Sequence, residues 1–384
     1  MINKSPDVLI IGGGVSGFSS SIAFARNGLD VLVLEKNNEF GLRIKGEVIN
    51  KEAEIFKKIF KTEQGLPEEI INVSFKIAKY YTPSMNKYAL RPFPEGIKVG
   101  IEYRKLIDAL CKTSIKEGVD LQINSEVCKF IHENGKIIGV EFEEYGHIKK
   151  VFPKIIIYAA GINTKLSLPL DLKSPDNICK ALKMNMEGVN LSDPNQLEFF
   201  LLDIPGVIYI FPKSKTQAEI GFMVWEDQIK DGSKIELIDF FRNKLKNHST
   251  LNKILGSAVI IYQSIENLPM SGPVNEISKP NVFLIGDAAG TVGAVGGSGI
   301  VSSMTLGYMI GELASEAIKS NKELQDSDFK EIGSQIKKSE MWKWLKKERS
   351  NAKAMRKFLY GSGDIDNIDI IWDRFKYLIE SREA

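Results

Sequence analysis

Cysteine and histidine are scarce in this chain, at three each among 384 residues. Cys111, Cys128 and Cys179 stand far apart with no C-x-x-C pair. That spacing excludes a disulfide framework and argues against a structural zinc site, so no metal is expected. An excess of charge is missing as well: 51 Lys and Arg face 49 Asp and Glu, for a net charge of +2. Nothing in that balance calls for nucleic acid or another polyanion as partner. No apolar run reaches the roughly 18–20 residues that a membrane span requires. The N-terminus, MINKSPDVLIIGGG, enters a strand almost at once with no charged-apolar-small leader, which predicts a cytoplasmic chain. What remains is 43% hydrophobic and 26% charged, enough to bury a large core in two or more lobes.

The first of those lobes is announced by VLIIGGGVSGFSSSIAFARNGLDVLVLEK, residues 8 to 36. Val8 to Ile11 is an all-apolar run of the kind buried on both faces of a parallel sheet. Gly12, Gly14 and Gly17 then satisfy G-x-G-x-x-G, helical spacing starts at Ser16, and a second apolar run ends at Glu35, with Lys36 after it. Each glycine has a task. Gly12 permits the tight turn, Gly14 lets a pyrophosphate approach the backbone, and Gly17 lets helix and strand pack closely. The helix N-terminus offers unpaired N–H groups to phosphate, and Glu35 can accept from both hydroxyls of an adenosine ribose. An acid at this place argues against a 2′-phosphate but does not separate NAD from FAD.

A later stretch makes that separation. In NVFLIGDAAGTVGAVGGSGIVSSMTLGYMIGELASEAI, residues 281 to 318, a buried strand ends at Gly286-Asp287 and a glycine-rich loop leads into a helix near Ser298. An NAD dehydrogenase has no use for such a second anchor, whereas FAD carries a ribityl chain and a flavin ring that need one. Asp287 can accept from a ribityl or ribose hydroxyl, and the helix beginning near Gly297, Ser298, Gly299 and Ile300 can aim its dipole at the flavin N1–O2 edge. FAD is therefore the expected cofactor.

With these motifs in hand, the sequence resembles glutathione-reductase-type FAD oxidoreductases. Through GDAAGTVGAVGGSGIVSSMTLG it resembles most the geranylgeranyl reductase family, including archaeal digeranylgeranylglycerophospholipid reductases. GVIYIFP, residues 206 to 212, followed by EIGF at 219 to 222, is similar to that family's Y-x-W-x-F-P…G-x-G motif, with Tyr209 at the tryptophan position. The resemblance implies that Arg104 lies near the FAD pyrophosphate and that Val127 meets adenine through its backbone. It also implies C=C reduction in prenyl chains. Three features depart from the family: Lys45 stands where a Cys is common, Ala294 where Pro is usual, and NLPMSGP, residues 267 to 273, lacks the usual Arg between its prolines.

The expected fold class is α/β: a Rossmann FAD domain, an α+β lobe built on an antiparallel sheet for substrate, and a C-terminal helical segment. The FAD domain is drawn from residues 1–49, 99–164 and 276–318. It includes a three-stranded meander turning at Asn134-Gly135 and Tyr145-Gly146, and a return strand closed by Ala160-Gly161 under the cofactor. Residues 50–98 and 165–275 form the second lobe, whose aromatics Phe200, Tyr209, Phe211, Phe222 and Trp225 are expected on one inner face, with Pro212 in the same motif. Phe211, Pro212 and Phe222 are the expected substrate contacts, Lys45 and Tyr209 the candidate catalytic groups. The segment 319–384 holds nine Lys or Arg against two Glu between Lys337 and Lys357. Such a helix either lies on an anionic membrane or packs its apolar stripe and exposes its lysines.

Three activities are compatible with these features: reduction of prenyl double bonds on a lipid, flavin-dependent monooxygenation or halogenation, and a non-catalytic flavoprotein role. No second G-x-G-x-x-G is present for a nicotinamide domain, so electrons come from transiently docked NAD(P)H or a ferredoxin-like protein.

Overall fold

The computed structural model describes residues 5–42, 46–162, 166, 170, 172, 175, 178–225, 237–321 and 324–361. The strands Val8–Ile11, Val31–Leu34, Ile155–Tyr158 and Val282–Leu284 are short, almost wholly apolar and buried along their whole length. Residues of that kind cannot alternate between water and core, so they occupy the middle of a helix-covered sheet. The sheet has six strands, in the spatial order 278–279, 282–284, 155–158, 8–11, 31–34 and 120–122. All pair in parallel except Ser278–Lys279 at the edge. Helix Val15–Arg26 follows the first strand and packs along helix Ile300–Asn321. The meander forms as expected from 125–133, 136–144 and 147–151, and positive φ at Asn134, Gly135, Tyr145 and Gly146 gives both hairpins the twist they need.

The second sheet has seven strands, in the order 259–269, 178–187, 217–225, 206–212, 196–201, 77–81 and 88–92. It is antiparallel except where Gln196–Leu201 meets Ile77–Tyr81. Its back face is greasy: Leu182, Met184, Phe200, Ile208, Ile210, Ile220 and Phe222 pack with helices Leu237–Asn247 and Ser249–Leu255. Its front face carries Ala181, Tyr209, Met223 and Leu268, with Phe199, Val207 and Phe211 against them.

One detail differs from the expected layout, and one alternative left open is resolved toward packing. The positions taken as crossings between lobes, 49/50 and 98/99, fall inside Gly46–Asn50 and Lys98–Glu102, which pair with each other as Ile49↔Val99 and Asn50↔Lys98. Together with Ile71–Phe75 they make a separate three-stranded sheet whose Val48, Val73 and Phe75 pack with Leu197, Phe199 and Phe211 of the large sheet. The basic C-terminal helix, Glu340–Gly361, takes the packing role: Trp342, Leu345, Ala352 and Leu359 are buried, while Lys343, Lys346, Lys347, Lys353 and Lys357 are exposed. Among the described residues no helix is long and apolar enough to cross a membrane.

Candidate active site and cofactor cradle

The glycine turn sits where strand Val8–Ile11 hands over to helix Val15–Arg26. Gly17 is fixed there by space, because a methyl group on it would collide with the Gly12 carbonyl. Gly14 differs: a Cβ there would meet only the Tyr103 hydroxyl, at 4.0 Å. Open space therefore lies over the helix N-terminus, which has neither a side-chain cap nor an acid in its first turn. Uncapped N–H groups facing open space suit a pyrophosphate. Glu35 completes the cradle. One carboxylate oxygen accepts the Gly13 N–H at 2.9 Å; the other accepts from Asn37, its backbone N–H at 3.0 Å and its side-chain amide at 2.6 Å. The carboxylate is thus aimed before any ligand arrives.

A cavity of about 230 Å³ runs along this turn. Gly12, Gly14, Ser16, Glu35, Lys36, Val127, Ala160, Gly161, Gly286, Asp287, Gly297, Gly299 and Ile300 all line it, drawn from segments as distant as 12–16 and 286–300. This set fits FAD: an anion site, a ribose acceptor and a second acid and helix start farther along. Ser298 is exposed and lines the neighbouring cavity instead. Arg104 is a correction. Its guanidinium pairs with Glu39 at 2.5 Å, is about half exposed and is not among the residues lining the cavity; the preceding residue, Tyr103, lines it. At the first turn of an amphipathic helix, one position decides which side chain looks inward.

The neighbouring cavity is large, about 1210 Å³, and opens over the front face of the seven-stranded sheet. An aromatic wall crosses three adjacent strands. Tyr80 stacks on Phe199 at 4.8 Å, Phe199 meets Phe211 edge-on at 5.7 Å, and Phe211 stacks on Tyr209 at 4.1 Å. Phe222 and Pro212 do not belong to it. Cross-strand partners share a face, and the register pairs Phe222 with Ile208 and Phe200 on the back, where Phe222 stacks on Phe240 at 5.1 Å. Pro212 has the same parity as Ile208 and Ile210 and is buried behind the sheet. Sequence reasoning missed Phe199 and Tyr80 because period 2 alone does not say which phase faces the cavity. It also missed the roof: Trp344, Met355, Leu359 and Tyr360 of the C-terminal helix line the cavity. Glu348 of that helix accepts the Val295 N–H at 3.2 Å, tying helix to glycine loop.

Polar groups are set into the front face. Tyr209 lies over Gly221, where any side chain would overlap its ring, and its hydroxyl donates to Glu219 at 3.0 Å. Burial first, then the nearby carboxylates of Glu219 and Glu47, push the Tyr209 phenol well above its ordinary value. It stays protonated with its proton committed to Glu219, which does not suit a proton donor to substrate. Lys45 lies outside the described residues. Beside that position stands Glu47, whose carboxylate meets the Lys183 ammonium at 3.6 Å; the two side chains are 20% and 8% exposed. Glu47, Lys183, Leu268, Gly297, Gly299 and Ile300 line both cavities and mark where they join.

A dinucleotide cradle on a parallel sheet, opening into an apolar chamber on an antiparallel one, defines an FAD-dependent oxidoreductase. The chain belongs to the FAD binding domain family, whose model matches residues 5–326, and within it to the geranylgeranyl reductases. It is 30% identical over 330 residues to the digeranylgeranylglycerophospholipid reductase of Methanococcus vannielii, covering 83% of this chain and 79% of that one. Among solved structures it matches a geranylgeranyl bacteriochlorophyll reductase-like protein from Thermoplasma acidophilum with a TM-score of 0.83 and 25% identity, over 96% of this chain and 91% of that one. A myxobacterial chondrochloren halogenase matches with a TM-score of 0.70 over 95% and 91% of the two chains; at 18% identity it shares the fold alone.

Proposed function

We propose that this chain reduces C=C bonds in the prenyl chains of a lipid. The observation that carries the reading is the junction of the two cavities: an aromatic-walled chamber of about 1210 Å³ shares residues with the cofactor cradle. A long apolar chain fits such a chamber, and relatives of this chain bear the name of lipid prenyl reductases. Gly12, Gly14, Ser16 and Glu35 would hold the adenosine diphosphate end of FAD, with Val127 beside the adenine. Asp287 and the loop at Gly297 to Ile300 would hold the ribityl and flavin end. Reduced FAD, when bound, supplies a hydride. The protein's own share is to exclude water with Tyr80, Phe199, Phe211 and the Trp344 roof, and to hold the isolated alkene against that junction, since an unactivated alkene reacts only when closely positioned. Electrons would enter from NAD(P)H or a ferredoxin-like donor.

The test is mass spectrometry of a geranylgeranylated glycerophospholipid incubated under nitrogen with the dithionite-reduced holoprotein. Gain of hydrogen pairs is the expected result. An unchanged lipid under nitrogen, with oxygen incorporated in air and NADPH, would move the chain to the monooxygenases.

A further inference from the structure

The reductase reading leaves one requirement unmet, a proton for the second alkene carbon. Tyr209 has its proton tied to Glu219. Lys183 is placed differently. It stands on Ile178–Glu187, a strand flanked on both sides in the sheet, with Gly221 and Ser264 as cross-strand partners. Its front-face neighbour Ala181 is small, its partner Gly221 is covered by the Tyr209 ring, and the Lys183 side chain itself lines both the chamber and the cradle. The side chain is 8% exposed and its ammonium faces Glu47 at 3.6 Å. A buried ion pair is weak evidence for stability, because desolvation offsets most of the attraction. Lys183 is a buried cation at the place where the chamber meets the cofactor cradle.

We infer that Lys183 is the catalytic proton donor of the alkene reduction, with Glu47 as the residue that positions its ammonium; this rests on the reading above. One alkene carbon gains the hydride that reduced FAD supplies. The π bond opens, and the other carbon takes a proton from the Lys183 ammonium, so that two C–H bonds form. The alkene is reduced, the FAD oxidised, and Lys183 is left as a neutral amine that regains its proton from water at the cavity mouth.

Two arms test it on the FAD-loaded protein. In the first, Lys183→Arg and Lys183→Met are compared with the native chain for lipid reduction under nitrogen. Arginine keeps the cation and its pairing with Glu47 but does not release a proton. Both variants are expected to lose about 100-fold or more of the rate, with FAD affinity within a few-fold of native. Native-like reduction by Lys183→Arg would overturn the inference, since it would make the charge sufficient. No reduction by the native chain would overturn the reductase reading, and this inference with it. The second arm needs no turnover: a C20 prenyl aldehyde with cyanoborohydride should alkylate the native holoprotein at Lys183, as read by peptide mass mapping. Labelling that bypasses Lys183 for Lys57, Lys343 or Lys347 at the cavity rim would overturn it as well.

Discussion

The cradle and the chamber are built by opposite means. The cradle consists mostly of backbone: a turn that Gly17 makes possible, a bare helix start, and one carboxylate that local N–H groups hold in place. The chamber consists of side chains brought from far apart, with Tyr80 against Phe199 and Lys183 against Glu47. A ligand common to many proteins can be bound by main chain that hardly varies, while a particular substrate needs a wall of chosen side chains. The two regions should therefore fail separately.

The largest effect is expected from Gly17→Val. Its side chain would drive into the Gly12 carbonyl. The clash should cost about 3 kcal/mol and leave the purified protein without flavin colour. Glu35→Ala should be gentler. Removing a charged acceptor is worth about 2 kcal/mol, so FAD affinity should fall roughly 30-fold by fluorescence titration, with the fold intact.

On the chamber side, Gly221→Ala puts a methyl group into the Tyr209 ring. A loss of about 1–2 kcal/mol is expected, with lipid reduction impaired and FAD affinity unchanged. A parallel loss of FAD would erase the distinction between the regions. The smallest effect belongs to Tyr209→Phe, at about 1 kcal/mol near neutrality. Its signature lies in pH. The folded phenol is raised well above 10.0, so it contributes stability below pH 10 that is lost as pH climbs beyond it. Above pH 10 the native chain should lose up to about 1.4 kcal/mol per pH unit relative to Tyr209→Phe. Tyr81 and Tyr360 are also raised by burial, but both chains carry them, so they cancel in the difference.

How much of this was legible in sequence follows the same divide. Gly12 to Glu35 is a local motif, and strand, turn, helix and acid all lie where spacing put them. The hairpin turns of the meander were equally local. The chamber was legible only as composition. Phe199 and Phe200 are neighbours in sequence and face opposite sides; the choice depends on pairing with Tyr209 and Ile208, which no single segment encodes. Lys183 sits in a strand of mixed charge, ICKALKMNME, that reads as an ordinary solvated edge. Its partner Glu47 is more than a hundred residues away, and only the fold joins them. The C-terminal helix showed its lysines plainly, while its function as a roof depended on which stripe the chamber would bury.

One measurement tests the junction most directly: a crystal structure of the chain with FAD and a geranylgeranyl chain bound. The flavin ring should rest against Gly297 to Ile300, with a double bond of the prenyl chain between that ring and the Lys183 ammonium. A flavin lodged away from Lys183, or a prenyl chain outside the wall of Tyr80, Phe199 and Phe211, would contradict it.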